Sequence, residues 1–362
     1  MTYSNLEKKR CLFFIALNIM LKTASLWKWQ YSHWNKPIDE RILGYTILLP
    51  VPGDLPVFLK IALETCSNQK PDGLFETLVI PDQLVPGFSE LLEETRDKYY
   101  TSIRLINPNP LEQIISRYQN NPHNNHWLQL VRGVSATQTT HALLHDADLF
   151  ITEDEFMKIH YETCESENLA CLGVSPVWDA WYKDNGLNHL TATWEMMFDV
   201  DWVRSFRPWE HRGHDGEILG QIHTFDTTLY PQCKTKPELI KYHQQEWGFI
   251  HFNYVICTYR WFQRSKTPFE DECFRILLIR LLIEAFDKSG WKYQVPSLDE
   301  LIKGITDETN PITYIRDKTR QNYFDFRSKL QTLIDSNLLD EEKTCILSEG
   351  ATKFDKVFGY SM

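Results

Sequence analysis

The sequence predicts an α/β fold built on a mostly parallel sheet flanked by helices, with a helical C-terminal extension. Three observations predict it. Short apolar runs end in turn residues four times within the first 150 residues, segments of helical period separate those runs, and beyond about residue 268 the pattern is helical alone. Strands covered on both faces read as unbroken apolar stretches, which is what a parallel sheet with crossover helices requires.

The opening unit is strand, loop, helix. Tyr45-Thr46-Ile47-Leu48-Leu49-Pro50 reads as a buried strand, Val51-Pro52-Gly53-Asp54 as a turn, and Phe58, Leu59, Ala62 and Leu63 fall at helical spacing behind it. A second strand, Thr77-Leu78-Val79-Ile80, stops at Pro81-Asp82 and leads to a helix over 89–99. A third, 102–106, stops at Asn107-Pro108-Asn109-Pro110. A helical stretch over 111–118 and the segment 127–140 then reach a fourth strand, which ends at Asp146. Past 150 the pattern changes to short β-like runs such as Ala170-Cys171-Leu172-Gly173-Val174, a dense aromatic set, and a polar loop over 208–220. Helices follow at 269–286, 298–305 and 314–339. The expected division is an N-terminal helix (1–36), a central domain (37–262, its halves 37–150 and 151–262) and a helical extension (263–362).

Composition narrows the function. With 362 residues and 43% hydrophobic content, a large core is expected. A net charge of −11 excludes a general nucleic-acid surface, because such surfaces draw on clustered Lys and Arg. The eight cysteines lack metal-ligand spacing and read as reduced thiols in a cytoplasmic protein. Lys8-Lys9-Arg10 precedes an apolar stretch over 11–21, shorter than the roughly 20 residues a spanning helix needs. That helix either packs on the domain or rests on a membrane face, with Trp27, Trp29 and Trp34 as anchors.

Asp146-Ala147-Asp148 is the most informative motif. In extended backbone, residues i and i+2 point the same way, so both carboxylates face one side at a strand end. Hard divalent cations take such oxygens together with phosphate oxygens. An isolated Asp pair also suits a turn or cap, but here residues 50–54, Asp82 and 146–148 all lie beyond the carboxyl ends of parallel strands, where such sheets bind ligands. No glycine-rich dinucleotide or P-loop motif is present, so a metal is the expected phosphate clamp.

These residues resemble the family-2 glycosyltransferases of the GT-A fold. The strand with Val51-Pro52-Gly53 is similar to the family's first strand and nucleotide loop. Asn125-His126-Trp127, Leu130, Arg132-Gly133 and Thr139-Thr140 before Leu143-Leu144-His145-Asp146-Ala147-Asp148 are similar to its approach to the D-x-D. The resemblance covers about 42–260. It implies a GT-A-like nucleotide-binding sheet, a nucleotide-diphosphate sugar donor contacted by Pro50, Pro52, Asp82, Arg132 and Asp146, and Mn²⁺ or Mg²⁺ on Asp146 and Asp148. His251, in Phe249-Ile250-His251-Phe252, is either a third metal ligand or a packed core histidine. Two departures stand out: Ile80-Pro81-Asp82-Gln83 keeps one acid where the family has an acidic, serine-rich turn, and the family's later Glu-Asp pair is absent as such.

The implied reaction moves a sugar, with inversion, from that donor to a hydroxyl of a glycan or lipid-linked acceptor in polysaccharide or glycolipid synthesis. Asp226 is the first choice for the base, with Asp215 and Glu217 competing. Trp178, Trp181 and Trp194 either stack on the acceptor sugar or belong to the core. Two rivals stand beside this reading: a non-catalytic scaffold of the same fold, and an all-helical metal-dependent phosphohydrolase built on His145-Asp146. A zinc site on His211, His214 and His223 is a lesser alternative.

Overall fold

A computed structural model describes residues 40–359, apart from 97, 98, 100, 101, 120, 214, 245, 266–272 and 307–315, together with 9, 12, 13, 15, 16 and 34. Most of the N-terminal helix expected over 1–36, with Trp27 and Trp29, lies outside the described residues, as does His214. Trp34 is described and buried, its indole N–H donating to the Phe206 carbonyl at 2.8 Å. No helix among the described residues is long and apolar enough to cross a membrane.

The central sheet has seven strands: β1 (Ile42–Val51), β2 (Leu74–Pro81), β3 (Ile103–Leu105), β4 (Thr139–His145), β6 (Cys171–Gly173), β7 (Glu195–Asp199) and β10 (Ile240–Tyr242). Their spatial order is β10-β6-β7-β4-β1-β2-β3. β1 runs parallel to both β2 and β4, pairing Val51 with Pro81 and Leu48 with Leu144, so the C-terminal ends of all three strands open on one edge. β7 is antiparallel to β4 and β6, inserted between them. The sheet is therefore mainly parallel, as its apolar runs predict.

Alternation along β1 explains why both faces are covered. Tyr45, Ile47 and Leu49 enter one apolar cluster, with Phe58 and Leu59 of α1 (Val57–Ser67), while Leu48 enters a second with Trp127 and Val131 of α4 (Pro122–Ala136). Two shorter helices, α2 (Phe88–Arg96) and α3 (Pro110–Gln119), link β2, β3 and α4. The first cluster continues into α10 (Cys273–Phe286), α11 (Leu298–Thr306), α12 (Arg316–Ile334) and α13 (Glu341–Phe358), so the C-terminal helices share one core with the sheet. The sequence reading stopped its last helix at 339 and did not foresee α13. That helix carries its own signals: Asp340 accepts the Lys343 N–H at 2.8 Å as N-cap, Glu341 and Glu342 follow, and Gly359 ends it at φ +64°.

The remaining elements surround the open edge. α5 (Phe156–Ser166) covers the sheet, and α6 (Ala180–Asp184), α7 (Val200–Ser205) and α8 (Leu229–Cys233) are short. β8 (Asp215–Ile218) and β9 (Gln221–Thr224) form a separate hairpin. β5 (Leu149–Ile151) pairs antiparallel with β11 (Phe249–His251), and α9 (Val255–Ser265) follows.

Candidate active site

The small β5–β11 sheet builds the centre of the site. β4 delivers Asp146, Ala147 and Asp148 at its end, and β5 starts at once. Antiparallel register then sets His251 opposite Leu149, one residue from Asp148. His251 Nε2 lies 3.6 Å from Asp146 Oδ2 and 3.3 Å from Asp148 Oδ1, and one ligand atom from each residue falls within 4.8 Å of the others. Both ring nitrogens of His251 and Oδ1 of Asp148 are buried without a hydrogen-bond partner. Orphaned buried polar atoms are uncommon and call for an explanation. Two carboxylates and one imidazole converging on an oxygen-rich point form a donor set suited to Mn²⁺ or Mg²⁺, with further positions open to phosphate. The residues fit a divalent cation.

Electrostatics are consistent with that fit. Burial works to lower the pKa of His251, yet its contacts with Asp146 and Asp148 outweigh it and push the group up to about 9. Burial and the charge of Asp146 raise the Asp148 carboxyl. Beneath the motif, Glu195 at the start of β7 is register-paired with His145; its Oε2 accepts from His145 Nδ1 at 2.9 Å and from the Asp146 N–H at 3.1 Å. His145 is thus turned into the core and does not join the triad. With a mainly parallel sheet also present, the all-helical phosphohydrolase reading is overturned.

A cavity of about 540 Å³ opens over these residues. Pro50, Val51 and Pro52 from the end of β1, Asp82 from the end of β2, Asn125 and His126 from the N-terminal part of α4, and Arg260 from α9 line one part of its wall. Asp82 ties these elements together. Its Oδ1 accepts the Gly53 N–H at 3.0 Å, and its Oδ2 accepts from Asn125 Nδ2 at 3.0 Å and Arg260 Nη2 at 2.5 Å. Arg260 also pairs with Asp54 at 2.8 Å. The two loops touch so closely that a Cβ at Gly53 would lie 1.9 Å from the Gln83 carbonyl oxygen. Arg132 does not line the cavity: it is buried against Glu112, Nη1 to Oε2 at 2.7 Å, and the Pro81 carbonyl, a brace behind the loop rather than a phosphate contact.

Asp226, Trp178, Lys183, Trp194 and His123 line another part. Burial works to raise the Asp226 carboxyl, but its interactions with His123 and the Thr227 N–H hold it below the usual carboxylate range. Asp226 is therefore ionised and faces the cavity. Trp194 packs its ring 4.3 Å from that of His251, and Trp178 stands about half exposed at the rim. Trp181 instead stacks on His223 at 3.8 Å and does not line the cavity. Asp215 and Glu217 sit on the β8–β9 hairpin, and Glu217 is exposed and does not line the cavity. His211 is buried and bonded to the Val203 carbonyl at 2.8 Å, so the zinc alternative does not assemble among the described residues.

Sequence reasoning did not single out Arg260, Glu195 or His123. A lone arginine within the helical run 255–265 carries no local signature, and Glu195 and His123 gain meaning only through partners 50 and 103 positions away, respectively.

No protein-family profile and no curated protein sequence matches the chain. Among solved structures it is similar to a mannosyltransferase, PcManGT, from Pyrobaculum calidifontis in complex with GDP-Man and Mn²⁺ (10% identity, 95% of each chain covered, TM-score 0.39). It is also similar to S. aureus TarS 1-349 (11% identity, 87% of this chain and 89% of that one, TM-score 0.37). A third is glucosyl-3-phosphoglycerate synthase from Mycobacterium tuberculosis with Mn²⁺ and UDP (11% identity, 48% of this chain and 61% of that one, TM-score 0.31). At these scores the likeness bears no weight for activity.

Proposed function

We propose that the chain is a metal-dependent glycosyltransferase that moves a sugar, with inversion, from a nucleotide-diphosphate donor to an acceptor hydroxyl. The observation that carries this reading is the Asp146–Asp148–His251 cluster, with its unpartnered buried atoms, at the open edge of a mainly parallel sheet and inside a cavity that also holds an ionised Asp226. Asp146, Asp148 and His251 would hold Mn²⁺ or Mg²⁺. Such a cation supplies positive charge for the developing charge of the leaving diphosphate.

The chain's own residues account for the rest. Pro50–Pro52 and Asp82 shape the wall that receives the nucleotide. Trp178 and Trp194 offer apolar faces to an acceptor sugar. The acceptor oxygen forms a bond to the anomeric carbon as the bond from that carbon to the diphosphate oxygen breaks; the electron pair leaves with the diphosphate, and the acceptor's proton passes to Asp226. One displacement inverts the anomeric centre. Glu195 fixes the backbone of Asp146 through its N–H.

The test is release of nucleoside diphosphate from a panel of UDP- and GDP-sugars in the presence of Mn²⁺ and glycan or glycolipid acceptors. Acceptor-stimulated release that Asp226→Asn lowers by about two to four orders of magnitude, with nucleotide affinity unchanged, is expected. Equal release by the variant would remove Asp226 from the mechanism.

A further inference from the structure

Tyr254, between β11 and α9, is the most strained side-chain-bearing position at the cavity. Its φ is +65°, a left-handed conformation that costs free energy for a bulky aromatic residue and that glycine or asparagine would adopt readily. Yet the ring gains little by burial, being 52% exposed at the cavity wall. The conformation is held firmly: the Tyr254 carbonyl accepts the Thr258 N–H at 2.8 Å as α9 begins, Arg275 Nε donates to the Asn253 carbonyl at 2.5 Å, and the Arg275 guanidinium lies 5.7 Å from the ring centre. A left-handed backbone held at a cavity wall to present a half-exposed aromatic ring points to a function of the ring.

Its neighbours identify the ligand. Tyr254, Cys257 and Arg260 occupy successive turns and all line the cavity, and Arg260 grips Asp82 and Asp54 beyond the ends of β2 and β1. On this wall Asn125 Oδ1 and Arg260 Nε are buried and unpartnered, in residues only 3% and 1% exposed. One is an acceptor, since the amide nitrogen of Asn125 is committed to Asp82; the other is a donor. Asp82 itself already has both oxygens engaged by Gly53, Asn125 and Arg260. An aromatic ring, one free acceptor and one free donor lining the same cavity match a flat heterocycle with an N–H next to a carbonyl or ring nitrogen.

We propose that Tyr254 is the platform on which the donor's nucleobase stacks, with Asn125 and Arg260 reading the base edge. This rests on the donor reading above, and the test separates the two. Calorimetric titrations of the full chain with Mn²⁺ compare pyrophosphate, UDP and GDP for wild type, Tyr254→Phe and Tyr254→Asn. Pyrophosphate should bind all three alike. The better nucleoside diphosphate should bind wild type and Tyr254→Phe alike but lose about tenfold or more on Tyr254→Asn, while that variant melts no lower than wild type because its left-handed strain is relieved. Unchanged nucleotide affinity in Tyr254→Asn, an equal loss for pyrophosphate, or nucleotides binding no tighter than pyrophosphate would overturn the inference while leaving the diphosphate site standing. Failure of Mn²⁺ and pyrophosphate to bind at all would remove the donor reading, and this inference with it.

Discussion

Single residues carry the chemistry, and each has its own test. Removing the His251 ring leaves two carboxylates close together without the group that offsets them; His251→Ala should weaken Mn²⁺ binding by about 10- to 100-fold, measured by paramagnetic resonance of free Mn²⁺. Unchanged affinity would make His251 a packed core histidine. Two other histidines set an acid limit on stability. Burial pushes His211 down to about 4 and His160 down to about 3, from an unfolded value of about 6.5. A group with a depressed folded pKa that must stay neutral contributes stability in full above the unfolded value and loses it as pH falls towards the folded one. These two groups should therefore make the melting temperature fall steadily as pH drops below about 6.5, whereas His251, raised to about 9, should make it fall as pH rises from about 6.5 towards 9; a profile flat from about pH 6.5 down to about pH 5 would contradict the assignment of His211 and His160. The motif Asp146-Ala147-Asp148 was legible because i, i+2 geometry is local. His251 could be suggested but not settled, because its approach to Asp148 depends on β5–β11 register across a separation of 103 positions.

At the scale of elements, the site is made by strand ends and by the contacts between their loops. Gly53 is required by closeness rather than by its own backbone freedom. Gly53→Ala would drive a methyl carbon into the Gln83 carbonyl at 1.9 Å, prying the β1 loop from the β2 loop and breaking the Gly53–Asp82 bond. A loss of about 1–3 kcal/mol is expected, read as a fall in the chemical denaturation midpoint, together with weaker nucleotide binding; an unchanged midpoint would show that the loops part freely. Strand and helix positions in the first half were legible because apolar runs and prolines punctuate them directly. The antiparallel β7 was not, because Glu195-Met196-Met197-Phe198-Asp199 has no local mark of direction. Helix α13 was missed although its cap residues are plain, since its mixed polarity masks a face that buries Leu347, Ala351 and Phe354.

For the whole molecule, the sheet and the C-terminal helices belong to one apolar core. Leu278 of α10 and Phe354 of α13 share a cluster with Ile47 and Phe58. A chain ending at residue 262 should therefore aggregate or lose its cooperative melting transition, because the first face of the sheet would stand open to water. A cooperative, soluble fragment would instead support 263–362 as a separable extension. The joined core contrasts with the sheet's open edge, where charged groups and unpartnered buried atoms are gathered around one cavity. The central claim is that this edge holds a cation and, through it, a nucleoside diphosphate. It is tested most directly by calorimetric titration of UDP and GDP with and without Mn²⁺, on wild type and on Asp148→Ala. Binding of one nucleotide that requires Mn²⁺ and disappears in the folded variant is the predicted result. Equal binding without the metal, or in Asp148→Ala, would contradict it.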